Sequence, residues 1–128
     1  MDAYKTHGAF SWAELMTTEP AKAAEFYGSL FGWVIETMPM PMGDYHVIKV
    51  DGTPMAGMMA YPDPSMTMPP NWSSYVTVDD VDATIIKCAA LGGELLMPAM
   101  DIPEVGRMAT IRDPQGAAIN IISYVAKT

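Results

Sequence analysis

Apolar and polar positions along the chain change their period twice, in the same order. From Ala9 to Met16 the segment AFSWAELM alternates, as a half-buried strand does. From Pro20 to Leu30 the period lengthens. Ala23, Phe26, Tyr27 and Leu30 then fall at i, i+3, i+4 and i+7, one face of an amphipathic helix, so the aromatic pair reads as core. Proline at the first helical position and Glu19 beside the positive end of the dipole suit that start, and Gly32 ends the helix. Strands are predicted near 33–37, 45–50 and 54–60, the last two joined by the hairpin signal Asp51-Gly52. The proline-rich stretch 61–71 has no periodicity and reads as a linker. The order then returns: a strand near 72–78, a helix near 81–91 stopped by Gly92-Gly93, a short strand near 94–97, and a hairpin from about 106 to 124 around DPQG.

The return is an internal repeat. Shifting the chain by 61 positions lays Trp12 to Trp33 on Ser73 to Glu94 without a gap, with Leu30 on Leu91 and Gly32 on Gly93. Each repeat is a βαβββ module, about 9–60 and about 72–124, within a single domain spanning 1–128. One such module has an open sheet with an apolar face that cannot be left in water. The expected fold is therefore α+β: two paired modules forming a cupped eight-stranded mixed sheet, helices outside and a pocket inside. FYGSLFGW, followed one module later by VDDVDA, LGG and DPQGA, resembles the vicinal oxygen chelate superfamily, the group of glyoxalase I, the bleomycin-resistance proteins and the extradiol dioxygenases. The resemblance runs from about Phe10 to Ser123.

Composition narrows the function classes. A chain of 128 residues that is 50% hydrophobic can bury a core but has no room for two independent domains. It has no run of 18 apolar residues and no signal-peptide pattern at its N-terminus, so a cytoplasmic address is expected and no membrane partner. The single Cys88 fits a reducing compartment and reads as a small hydrophobe on the second helix. A formal charge of −8 argues against nucleic acid and favours a neutral or cationic small ligand.

The resemblance implies four positions for metal ligands, early on the first strand and late on the fourth strand of each module. In this chain they fall on Trp12, Ser73, Asn120 and either Met58 or Met59. Indole, hydroxyl, amide and thioether groups do not replace the carboxylates and imidazoles that a divalent ion requires, so no metal and no cofactor are expected. The polar lining then follows from alternation. Phe10, Glu14 and Met16 share a face with Trp12, and Tyr75 and Thr77 share one with Ser73.

Glu14 on an apolar concave strand is a candidate general base or counter-ion, or else a solvated rim carboxylate. A two-residue turn at Pro114-Gln115 would pair Ala109 with Asn120 and turn Arg107 inward beside it. There it would hold an anionic oxygen, unless it instead pairs with Asp101 or Glu104. Arg112 would then lie on the other face as a solvated charge. In the first module the Asp51-Gly52 turn leaves two choices open: Met59 inward together with His46, or Met58 inward together with Tyr45. His7 is expected at the surface.

Methionine is abundant, at 13 residues. Met38, Met40 and Met42 in one loop, Met66 and Met68 in the linker, and Met97, Met100 and Met108 around another could form a pliable lid or ordinary packing. Two functions fit: a metal-independent isomerase, cyclase or lyase using Glu14 and Arg107, with Tyr75 or Asn120 on the developing oxyanion, or a sequestering module of the bleomycin-resistance type with aromatic walls at Trp12, Trp72 and Tyr75. A homodimer is expected for either.

Overall fold

The computed structural model describes every residue except 42, 63, 64, 66 and 126–128, so Met42 and Met66 of the methionine reading lie outside the described residues. The elements run β1 (Phe10–Met16), α1 (Pro20–Phe31), β2 (Val34–Met40), β3 (Gly43–Val50), β4 (Thr53–Met59), β5 (Asn71–Thr77), α2 (Val81–Ala90), β6 (Glu94–Ile102), β7 (Gly106–Arg112) and β8 (Ala118–Tyr124). The α+β class and the twofold βαβββ order hold, with eight strands and two helices among the described residues. The chain divides into two compact units: a first module, Trp12–Trp72, and a second, Ser73–Thr128 together with Met1–Ser11.

In the first module the strand order is β2-β3-β4-β1, with β1 parallel to β4 and the hairpin pairs antiparallel. One side of this sheet packs against α1 through Leu15, Ile48, Ala56 and Met58, with Ala23, Ala24, Tyr27, Trp33 and Ile35 against them. α1 begins with Pro20 after Glu19 and ends at Gly32 in the left-handed conformation, but buries no residue fully. Phe26 and Leu30 stay 60% and 57% exposed, so the apolar stripe reads only half correctly as core: Ala23 and Tyr27 face the sheet, and the other two face out.

The second module repeats this with the order β5-β8-β7-β6, and α2 lies on Val78, Val81, Ala109 and Ile121. Asp80 caps α2 by accepting from the Ala83 N–H at 3.0 Å. The N-terminal segment belongs to this unit, where the Thr77 hydroxyl donates to the Ala3 carbonyl at 2.6 Å and His7 Nδ1 accepts from the Asp79 N–H at 3.0 Å. His7 is exposed, as expected.

Both edge strands outrun their predicted lengths. β2 continues through Pro39 to Met40, and β6 through Pro98 to Ile102. Proline signals a break, yet an edge strand has one row of N–H groups without a ladder partner, so it tolerates the residue. Met38, Met40 and Met100 therefore stand on strands instead of in loops, and Met97 and Met108 lie on β6 and β7.

The β7–β8 turn is one residue longer than the two-residue hairpin. Asp113 Oδ1 accepts from the N–H groups of Gln115 and Ala117 at 2.9 and 3.0 Å, and these bonds hold its carboxyl below the usual carboxylate range. Gly116 takes φ 101°, the left-handed conformation that closes such a loop. Thr110, in place of Ala109, then pairs with Asn120, and Arg107 pairs with Ser123. A slip of one residue reverses every side chain. Arg107 thus turns away from Asn120 toward the helix side, whereas Arg112 takes the Asn120 face and pairs with Glu94.

Arg107 holds Asp82 of α2 by two bonds of 2.9 Å and Asp101 of β6 by one of 3.2 Å. The hydrogen bonds from the guanidinium hold the Asp82 carboxyl below the usual carboxylate range, while Asp82 and Asp101 push the Arg107 pKa up. The fork ties the first turn of α2 to the β6–β7 hairpin. A depressed carboxylate contributes stability above its ordinary range and loses it as pH falls through the folded value. Arg107→Met is expected to lower the melting temperature slightly near neutral pH, less at high salt because the groups are solvated, and not at all in strong acid. Melting curves across pH and salt check this; a difference that persists in acid would contradict it.

Candidate functional site

Within the first module, one hairpin irregularity decides which side chains meet. The β3–β4 register runs Val50↔Thr53 and Lys49↔Pro54, then shifts to Ile48↔Ala56, Val47↔Gly57 and His46↔Met58. The extra residue on β4 is Met55, a bulge that the Asp51-Gly52 signal does not reveal. Because β1 pairs Glu14 with Gly57 and Leu15 with Met58, the helix-free face carries Trp12, Glu14, Gly57, Met59, Val47 and Tyr45. Met59 is therefore inward together with Tyr45, a combination that neither expected register allowed. Met58 is fully buried against α1, and His46 lies on that same side with Nδ1 2.9 Å from the Thr37 hydroxyl. Neither shares a face with Glu14.

Glu14 is 5% exposed. The Tyr45 hydroxyl donates to its Oε2 at 2.8 Å and accepts from Trp12 Nε1 at 2.9 Å, a chain of indole, phenol and carboxylate across β1 and β3. The intervening strand is β4, and at the crossing point it carries Gly57. A Cβ there would collide with the Tyr45 ring and hydroxyl. The sequence carried this signal, an isolated glycine inside a strand pattern, which marks close approach of another group.

In the second module Ser73, Tyr75 and Asn120 do share one face, as expected. Asn120 is buried; its Nδ2 donates to Ser73 Oγ at 3.0 Å and to the Ser74 carbonyl at 3.3 Å, and its Oδ1 accepts from Thr110 Oγ1 at 2.6 Å. Thr110 escaped the sequence reading because of the turn error. The Tyr75 hydroxyl points to Met108 Sδ at 3.7 Å. Trp72 is not on a helix-free face. It packs on Tyr27 and Trp33 beside α1 and donates to the Tyr27 hydroxyl at 3.2 Å. Trp72 and Tyr27 border a groove of about 370 Å³ that Leu15, Thr17 and Lys22 also line.

Sheet pairing sharpens the comparison between modules. Asn120 stands opposite Tyr75 as Gly57 stands opposite Glu14, so the fourth-strand position corresponding to Asn120 is Gly57, not Met58 or Met59. The donors at the four positions are then indole, hydroxyl and amide, with none at the glycine. Among the described residues no three His, Cys, Asp or Glu side chains gather as a metal shell requires, so the residues present do not fit the metal centre that the resemblance implies. No described helix is long and apolar enough to cross a membrane.

Residues 9–121 match the profile described as Glyoxalase/Bleomycin resistance protein/Dioxygenase superfamily. The chain is 41% identical over 117 residues to "Putative glyoxylase CFP32" of Mycobacterium bovis, a match that covers 89% of this chain and 45% of that protein. To the anthracycline biosynthesis protein DnrV of Streptomyces peucetius it is 32% identical over 127 residues, covering 89% of this chain and 46% of that protein. The chain thus spans about half the length of the curated relatives it matches. Among solved structures it superposes on methylmalonyl-CoA epimerase from Mycobacterium tuberculosis with a TM-score of 0.68 at 18% identity, over 93% of this chain and 89% of that one, a likeness of fold.

Gly57→Ala is expected to leave the fold intact at a cost of about 1–3 kcal/mol, the usual range for overpacking, while pushing Tyr45 off Glu14. The Trp12 indole N–H resonance should move upfield as it loses its acceptor. An unmoved resonance would show that the ring is not seated over Gly57.

Proposed function

This chain belongs to the glyoxalase/bleomycin resistance protein/dioxygenase superfamily, and from that premise we propose that it binds a small organic molecule on the helix-free face of the first module and moves a proton there without a metal. The observation that carries this reading is the buried Glu14 carboxylate held by Tyr45, which is itself held by Trp12. A carboxylate fixed among apolar side chains can take a proton from carbon beside a carbonyl. The C–H electron pair becomes an enolate, and the carboxylic acid returns the proton at the same or a neighbouring carbon. Tyr45 positions the carboxylate, and its hydroxyl lies beside it as a donor for the developing oxygen charge. That role passes to it from Arg107, which is committed to Asp82 and Asp101. Isomerase, cyclase or lyase chemistry all begin this way, and the glyoxylase and anthracycline-biosynthesis names of the relatives suit an oxygenated organic ligand.

Capture without reaction is the second reading, favoured by the thioether side chains of Met16, Met38, Met40 and Met59 on the same face. The two separate on one substitution. Glu14→Gln keeps the shape of the side chain. For an enzyme it should reduce turnover of a ligand found by screening by roughly 10²- to 10⁴-fold with little change in binding. For a binder of cations it should cost affinity, about 1–3 kcal/mol, with no turnover to lose. Tyr45→Phe should act in the same direction and more weakly. A ligand indifferent to both substitutions would place the site elsewhere.

We also propose a cytoplasmic homodimer, supported by the apolar surface that α1 leaves exposed at Phe26, Leu30 and Phe31. Light scattering at micromolar concentration should give twice the 13.9 kDa chain mass, and a monomer would refute it.

A further inference from the structure

The segment before β1 is folded on itself where it meets the second module. Asp2 Oδ1 accepts from the Tyr4 N–H at 3.0 Å, and the Asp2 carbonyl accepts from the Lys5 N–H at 3.1 Å and from the Thr6 hydroxyl at 2.7 Å. A carboxylate that captures the backbone two residues on makes a turn of its own, and Ala3 and Tyr4 stand at its tip. The Ala3 carbonyl accepts from the Thr77 hydroxyl at 2.6 Å, and the Tyr4 ring meets the Tyr124 ring edge to face with centroids 4.9 Å apart. Behind the turn the root of the segment is tied to the sheet. There the Gly8 N–H donates to the Thr77 carbonyl at 2.7 Å and the Thr77 N–H to the Ala9 carbonyl at 2.8 Å.

Thr77 and Tyr124 stand on the helix-free face of the second module. Thr77 pairs with Ile122 two residues beyond the Tyr75–Asn120 pair, and Tyr124 follows Ile122 by two. Under the shift of 61 that relates the modules, Thr77 corresponds to Met16 and Tyr75 to Glu14. The end of the face that the first module gives to Met16 and Met59 thus holds, in the second, a piece of the chain itself. That piece brings a carbonyl oxygen and an aromatic ring, joined through an amide nitrogen and two carbons. The face meets them with the hydroxyl of Thr77, which is 3% exposed, with the Tyr124 ring, and with buried Ile122 and Met108 alongside. Ser11 Oγ lies 2.8 Å from the Tyr124 hydroxyl, so that ring keeps its place whether or not Tyr4 is on it.

We propose that this end of the second module is a second binding site, for a neutral molecule carrying an aromatic ring two carbons from an acylated nitrogen, and that the Asp2–Lys5 turn occupies it as a competitor. The Ala3 carbonyl and the Tyr4 ring stand for the acyl oxygen and ring of such a molecule. Thr77 has no charge and burial pushes the Tyr124 phenol up, so a neutral ligand meets neutral partners. Because the turn is held by its own bonds, it leaves the face as a unit while the root at Gly8 and Ala9 stays paired. The site lies in the other module and is independent of proton transfer at Glu14.

N-acetyltyramine reproduces the acyl oxygen and the ring of Ala3 and Tyr4 at the same spacing. 4-Ethylphenol keeps the ring and lacks the acyl group. Titrated into the whole chain and followed by NMR, N-acetyltyramine should shift the Thr77 and Tyr124 resonances and move those of the Tyr4 ring toward solvent-exposed values. Tyr4→Ala, at a residue 41% exposed, should keep the fold and tighten N-acetyltyramine about 2- to 10-fold, the range of an aromatic edge contact. Thr77→Val added to Tyr4→Ala should weaken N-acetyltyramine about 2- to 10-fold, as loss of one hydrogen bond implies, and leave 4-ethylphenol unchanged. Equal affinity of the wild type and Tyr4→Ala, shifts confined to other residues, or a Tyr4 ring that stays put while N-acetyltyramine binds would each overturn the proposal. So would a Thr77→Val change that weakens both probes alike in a folded protein; if the valine unfolds the strand, the Tyr4→Ala comparison decides.

Discussion

The Tyr45 ring crosses β4 where Gly57 carries no side chain, and the rest of the site is arranged around that crossing. β1 and β3 are not neighbours in the first module, since β4 lies between them. A side chain on β3 can reach a carboxylate on β1 only over a gap in the intervening strand. The phenol that makes the crossing both orients Glu14 and receives Trp12, so a missing methyl group on one strand fixes three side chains on two others. Any residue but glycine at position 57 forces the ring aside. The carboxylate would then lose the bond from Tyr45.

The second module shows what the same scaffold does without the gap. Asn120 stands in the place of Gly57, Tyr75 in the place of Glu14 and Met108 in the place of Tyr45. The aromatic side chain has moved to the first strand of the module and points at a thioether, while the amide beside it is taken up by Ser73 and Thr110. The two modules carry two different polar centres, a carboxylate bonded to a phenol in one and an amide bonded to two hydroxyls in the other.

The elements and their order were legible because alternation, helix period, Pro20 and Gly32 all act locally. The first strands of both modules were legible to the side-chain level for the same reason: Trp12 and Glu14, and Ser73 and Tyr75, share faces as alternation requires. What failed was parity across hairpins. Met55 adds a bulge residue to one, and the Asp113 carboxylate adds a residue to the turn of the other by capturing two N–H groups. Each insertion moves a whole strand to the opposite face, which is why Arg107, His46 and Met58 left the expected site and Thr110 and Arg112 changed sides. Neither insertion disturbs composition or hydrophobic period, so nothing at the level of pattern marks them. The edge strands failed differently. Pro39 and Pro98 read as ends, and only the strand order shows that they lie where a missing N–H costs little.

Once parity is fixed, methionines of the first module fall on both sides of its sheet, Met58 under α1 and Met16, Met38, Met40 and Met59 opposite it. Packing a helix on a sheet rewards side chains with few rotamers, because a single fitted arrangement holds the two layers, and the branched and small residues under α1 and α2 supply it. A face meant for a molecule that comes and goes is better served by side chains that can reshape around it, and thioethers do so without a polar group left unpaired when the molecule is absent. Glu14 is the buried charge on that face. Its charge would be a defect in a merely packed surface, and Trp12 and Tyr45 hold it in place. A buried carboxylate bonded by a phenol that an indole bonds in turn is the geometry on which the proposed proton transfer rests.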